Sequence, residues 1–313
     1  MNKRELVLDV LNKNKKQEYT PAAFFLHFDE NCHRGQAAVN KHLEYFRHTG
    51  MDFVKIQYEN VFPVIAEIKK PDDWAEMPLY KKDFYEDPLH IVDSLVQRIK
   101  KEALVIMTLY SPYMCAGHTS RGKITDHIKE GPEKTKKGMQ IITESLMIFV
   151  KECIKLGIDG FYHSTQGGES DTFDDPALFK ECVKPYDLIL MKEIERSCIF
   201  NILHICDYNG SYSDLTPFLD YPGHVVSCGL ELRSEKLTGK DVSRMFERPY
   251  MGGLDRKGVI VSGSKDQIKK AVEAALQSAP EKFILGADCT IPSEVNWDNI
   301  KTAIETAHAY SSD

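Results

Sequence analysis

The feature that most constrains the fold is an alternation of short β-type runs with longer stretches of helical periodicity. The runs are AAFFLHF (22–28), DFVKIQ (52–57), ALVIMTLY (103–110), IDGFYH (158–163), CIFNILHI (198–205), HVVSC (224–228), RPYMGGL (248–254) and KFILGA (282–287). Strands that alternate with helices build βα units and a parallel sheet. Eight such units in 313 residues match a closed (β/α)8 TIM barrel, for which about 250 residues is typical. An open doubly wound sheet is the main alternative, but no Gly-rich phosphate fingerprint follows the first run. The chain is therefore read as one barrel domain over residues 1–313, with 1–20 as a helical cap on its bottom.

The intervening stretches support this architecture. VNKHLEYFRHTG (39–50) places Val39, Leu43 and Phe46 on one stripe and ends at Gly50, a C-cap residue type. The stretch 266–279 repeats the stripe with Ile268, Val272 and Leu276. The last helix, 298–310, aligns Ile300, Ile304 and Ala307 behind a cap at Asn296 or Asp298. Pro185 is expected to kink or split the helical run 174–196.

In such barrels the reacting groups sit at the C-terminal ends of the strands. The residues expected there are His27, Gln57 with Tyr58 and Glu59, Ser111 with Tyr113, His163 with Gln166, His204 with Cys206, Cys228, Asp255, and Asp288 with Cys289. In an extended strand positions i and i+2 share a face, so His204 and Cys206 converge on one point. A second strand end could bring Cys289 to it. One imidazole and two thiolates form a zinc set that leaves the fourth position open for a reactant. A lone His-x-Cys pair is more often a packed histidine beside a buried thiol; Cys289 at a second strand end tips the balance towards metal.

Composition narrows the function class. The net charge is −7 with no Lys/Arg block, so a nucleic acid is not expected as partner. No run approaches the length of a membrane span, and the start has no apolar leader. A cytoplasmic protein is expected. Eight cysteines scattered through the chain do not suggest a disulfide framework. Cys32, Cys115, Cys153, Cys182 and Cys198 read as structural thiols.

From about Leu104 onward the chain resembles the uroporphyrinogen decarboxylase superfamily of (β/α)8 barrels. The resemblance lies in LGIDGFYHSTQGG (156–168), PYDLIL after Lys184, the HIC triplet, MGGLDRKGVIVSG (251–263) and FILGADCTIP followed by NWDNIKTAIETAHAY. Within that superfamily, the zinc-dependent methylcobalamin:thiol (coenzyme M-type) methyltransferases carry a His-x-Cys pair and a later cysteine. The matching positions here are His204, Cys206 and Cys289. Cobalamin-independent methionine synthases have a similar set with an acidic residue on a strand between; that place falls near Cys228, the candidate fourth ligand. Asp207 stands where a glycine is common.

The resemblance implies transfer of a methyl group from a corrinoid to a zinc-bound small-molecule thiol. No corrinoid-binding domain fits into the chain, so the methylcorrinoid is expected from outside, on a separate corrinoid protein. Asp288 and His163 are expected to act in catalysis, and His27, Gln57, Tyr58, Gln166 and Asp255 to bind substrate. The second reading is a cofactor-free decarboxylase (a carboxy-lyase). True uroporphyrinogen decarboxylases use an arginine-rich N-terminal motif, where FFLHFDENCHRGQ offers only Arg34, and an aspartate where Gln57, Tyr58 and Glu59 stand. A many-carboxylate substrate without its arginine clamp buries unpaired charge, at several kcal/mol per ion. A third reading is a non-catalytic corrinoid or thiol binder.

Overall fold

The computed structural model describes residues 2–310; Met1 of the expected cap and the last three residues of the 1–313 domain lie outside them. Among the described residues, seven strands form one curled parallel sheet in chain order. They are β1 (Phe53–Ile56), β2 (Leu104–Tyr110), β3 (Gly160–Thr165), β4 (Ile202–Ile205), β5 (Val225–Cys228), β6 (Tyr250–Leu254) and β7 (Phe283–Ala287). Helices cover the sheet, so its strands are buried on both faces and read as continuous apolar runs; Leu104 to Met107 are fully buried.

The run expected as the first strand, 22–28, forms only isolated parallel bridges, Ala22 to Leu285 and Leu26 to Ile291. Its backbone bonds β7 through Ala23 N–H to Leu285 O (3.0 Å) and Leu285 N–H to Pro21 O (2.9 Å). On the other side it meets the chain just before β1. Asp52 N–H donates to Ala22 O at 3.0 Å, while Ala22 N–H donates to the Asp52 carboxylate at 2.7 Å. A side chain thus takes the donor that a ladder would use. The buried Asp52 also accepts from Tyr19 and bonds His308, tying the start of the chain to its last helix.

Other boundaries also differ from expectation, β4 starting at Ile202 rather than 198 and β6 at Tyr250 rather than 248. β3 starts at Gly160 rather than 158, because Asp159 spends its carboxylate on Val105 N–H (2.9 Å). A Cβ at Gly160 would lie 1.7 Å from Phe200 O, so only glycine admits this approach of β4's lead-in. The expected cap over 1–20 reduces to one helix, Lys3–Asp9, anchored by Arg4 on Asp159 at 2.7 Å.

The helices follow the apolar stripes. Gly35–Thr49 ends at Gly50 with φ 75°. Lys265–Gln277 begins with a capping box between Ser264 and Gln267. Trp297–Ala309 is capped by Asn296. The Pro185 segment splits into Pro176–Cys182 and Lys184–Ser197, with Val183 between them. No helix among the described residues is long and apolar enough to cross a membrane.

Candidate metal centre and its cavity

A cavity of about 560 Å³ opens at the C-terminal ends of the strands. His204 near the end of β4, Cys206 just beyond it and Cys289 just beyond β7 all line it. Their donor atoms lie within 4.8 Å of one another, and all three side chains are buried. The two sulfurs are 3.9 Å apart. That is far beyond a disulfide bond, but two thiolates at about 2.3 Å from a tetrahedral zinc stand about 3.8 Å apart. Both ring nitrogens of His204 are buried with no hydrogen-bond partner. A buried, unpaired imidazole is costly, and a metal ligated by one nitrogen removes part of that cost. The residues present therefore fit a zinc ion.

The surroundings hold these three side chains in place. Tyr162 stacks on the His204 ring at 4.9 Å. Gln166 donates to Cys206 Sγ at 3.4 Å and is itself held by Asn209. The Cys289 thiol donating to Cys206, helped by nearby His204, pulls Cys206 well below the ordinary thiol range. Cys289, as the donor in a buried site, is pushed up. Burial, helped by neighbouring acidic groups, pushes up Cys115, Cys153 and Cys228, which keeps those thiols protonated.

The strand register decides which other expected residues reach the cavity. In a parallel pair, residues in register share a face. Ser227, not Cys228, is in register with His204; Cys228 pairs with Ile205 and so projects to the opposite side. The expected fourth ligand is thus displaced by one residue from the face that carries His204. His163 suffers the same fate. Tyr162, Ser164 and Gln166 line the cavity, so His163 between them points to the helical layer, 3.8 Å from Asp187. Both residues are completely buried, and Thr165 and Tyr221 donate to the Asp187 carboxylate. Tyr58 also faces the helices, packed on Tyr110 and Phe149. Asp255 is exposed and accepts from Lys257 N–H. None of these four lines the cavity.

His27, Gln57 and Gln166 do line it. His27 and Gln57 belong to a chain of polar contacts running inward from the rim. Glu59 accepts from His27 Nδ1 at 2.8 Å, and His27 Nε2 accepts from Gln57 Nε2 at 3.1 Å. Gln57 Oε1 then accepts from Lys55 Nζ at 2.5 Å, and Lys55 also donates to Thr108 at 2.9 Å. This order fixes the His27 tautomer with its proton on Nδ1. Asp288 lies outside the cavity lining and binds Arg256, with Arg256 N–H on Oδ1 at 2.9 Å.

Lys55 and Arg256 are among the cavity residues that the sequence alone did not single out. Lys55 is 6% exposed, sits over the rings of Phe25 and Tyr162, and burial pulls its pKa down to about 7. Its signal was present: Lys55 and Gln57 are the polar alternation in an otherwise apolar strand. Arg256 follows Asp255 directly and projects into the cavity wall; a charged loop residue offered no comparable signal.

A family model described as uroporphyrinogen decarboxylase (URO-D) matches residues 28–310. No curated protein matches the sequence. Among solved structures, a methyltransferase from Methanosarcina mazei is similar at a TM-score of 0.77 and 14% identity, over 98% of each chain. A B12-independent methionine synthase from a Shewanella species is similar at a TM-score of 0.53 and 11% identity, over 93% of this chain and 95% of that one. At such identities the likeness is one of fold. The family match spans most of the sequence, and the chain belongs to the uroporphyrinogen decarboxylase family.

Proposed function

We propose that the protein is a zinc-dependent methyltransferase that moves a methyl group from a corrinoid, carried by a separate protein, to a small-molecule thiol. The observation that carries this reading is the convergence of His204, Cys206 and Cys289 in one buried cluster on the cavity wall. The fold likeness to a methyltransferase agrees with methyl transfer. In this reading the sheet and the extended segment 21–26 together make an eight-unit (β/α)8 barrel with its cavity at the usual end. Eight free cysteines suit a reducing cytoplasm.

His204, Cys206 and Cys289 would hold the ion. Zinc there supplies a positive centre that favours a bound thiol as its thiolate at neutral pH. The chain's own residues do the rest. Gln166 donates to Cys206 and fixes the direction of its sulfur, as supporting partners of ligands do. Tyr162 clamps the His204 ring flat. In its protonated form Lys55 uses two of its three N–H donors on Gln57 and Thr108, leaving one for a polar group of the substrate. Burial of this end of the cavity excludes water, which keeps the sulfur nucleophilic.

The decarboxylase reading finds little support. Arg34, the candidate for an arginine clamp, is 78% exposed and pairs loosely with Asp87 at 4.0 Å. Incubation of the purified protein with methylcobalamin and simple thiols tests the proposal. Zinc-dependent formation of the methyl thioether is expected. Carbon dioxide release from a porphyrinogen without metal, or ligand binding without turnover, would point to the other two readings.

A further inference from the structure

Asp207 and Asp288 are the immediate chain neighbours of the two clustered cysteines. Each brings a carboxylate, an oxygen donor that zinc accepts readily at about 2.0–2.2 Å. Neither belongs to the clustered donor set. Arg256, from the loop after β6, accounts for that. Its Nη1 lies 2.6 Å from Asp207 Oδ1 and 3.5 Å from Asp288 Oδ2, and its backbone N–H donates to Asp288 Oδ1. One residue thus gathers the carboxylates of two strand ends, β4 and β7. The three side chains are 15%, 23% and 24% exposed, so solvent only partly screens the pairs.

The receiving place for Asp207 is also built in. A Cβ on Gly229 would stand 2.7 Å from Asp207 Oδ2, so the glycine leaves the room this carboxylate fills. The charge count gives the arrangement a purpose. One guanidinium against two carboxylates leaves the triad anionic overall, and without Arg256 two unpaired carboxylates would sit beside a cation site. Arg256 lines the same cavity as Cys206 and Cys289, so the carboxylates it holds are competitors for an open coordination position there once released.

We propose that Arg256 is a positioning residue that holds Asp207 and Asp288 away from the metal, and so keeps one coordination position free for the thiol substrate. This rests on the zinc reading of the His204–Cys206–Cys289 cluster. It assigns Asp288 to the support of the site rather than to proton transfer.

Cobalt(II) substitution tests it, because thiolate ligation has its own absorption bands. Cobalt(II) protein is titrated with 2-mercaptoethanol and the thiolate-to-cobalt bands are followed. Wild-type protein is expected to gain band intensity as the thiol enters. In Arg256→Met the thiol concentration needed is expected to rise about ten-fold or more. The triple variant Arg256→Met, Asp207→Asn, Asp288→Asn is expected to return to the wild-type response, a rescue that a folding defect would not give. Gly229→Ala, which displaces only Asp207, is expected to shift the titration in the same direction as Arg256→Met. An Arg256→Met protein that answers the thiol at wild-type concentrations overturns the proposal and leaves the zinc reading standing. So does a triple variant that stays impaired. A wild-type protein that takes up no cobalt overturns both.

Discussion

Cys206 and Cys289, 83 residues apart in sequence, hold their sulfurs 3.9 Å from one another. That spacing joins the ends of β4 and β7 across the top of the sheet, and an ion shared by both sulfurs would favour the folded chain. Binding to the native state adds about 4 kcal/mol at a thousand-fold excess over Kd. Calorimetry should show a lower thermal midpoint after dialysis against a strong chelator, restored by zinc. The same treatment should leave a His204→Ala, Cys289→Ser double variant unchanged.

Lys55 sets a second expectation. Its folded pKa is about 7 against an ordinary 10.5, so between these values the unfolded chain binds the extra proton. Stability contributed through Lys55 therefore rises with pH across that window. In metal-free protein, urea midpoints should increase from pH 7 to pH 9, and Lys55→Met should flatten the increase. At pH 7 the variant should be at least as stable as wild type, while methyl transfer should fall about ten-fold. A variant that keeps full activity contradicts the role given to Lys55.

His42 acts at the acid end. It is buried, and burial brings its pKa down to about 4 from 6.5. Its Nδ1–H donates to Ala38 O and its Nε2 accepts from Gln57 N–H. Between pH 6.5 and 4 the unfolded chain holds the extra proton, so stability is full above this window and is lost as pH falls through it. His42→Gln should lose roughly 2 kcal/mol less between pH 6.5 and 4.5 than wild type, as read by urea unfolding.

The approach of β3 to the Phe200 carbonyl gives a test of the scaffold. At Gly160 the obstacle to a methyl group is backbone, 1.7 Å away, and backbone cannot rotate aside. Gly160→Ala should destabilise the protein by more than about 2 kcal/mol. A loss below half that amount in chemical denaturation would mean that the two strands separate more easily than their packing implies.

Much of this architecture was legible in the sequence, because strands buried on both faces write themselves as apolar runs. Seven of the eight expected runs carry strands. The eighth, 22–28, is extended and bonded to β7, but Asp52 takes a donor that its ladder would need. The His204, Cys206 and Cys289 cluster was legible because an i, i+2 pair at a strand end fixes direction. His163 and Cys228 were misplaced for the complementary reason. A one-residue step turns a side chain to the opposite face: His163 stands between Tyr162 and Ser164, which line the cavity, and Cys228 stands one place past Ser227, the residue in register with His204. Arg256 was invisible, since its partners Asp207 and Asp288 meet it only through the fold.

Metal content tests the central claim most directly. Protein purified without chelator should contain about one equivalent of zinc, and His204→Ala or Cys289→Ser should each remove most of it. Less than a few tenths of an equivalent in the wild-type protein, unchanged by either substitution, would contradict the metal centre and the thiol chemistry built on it.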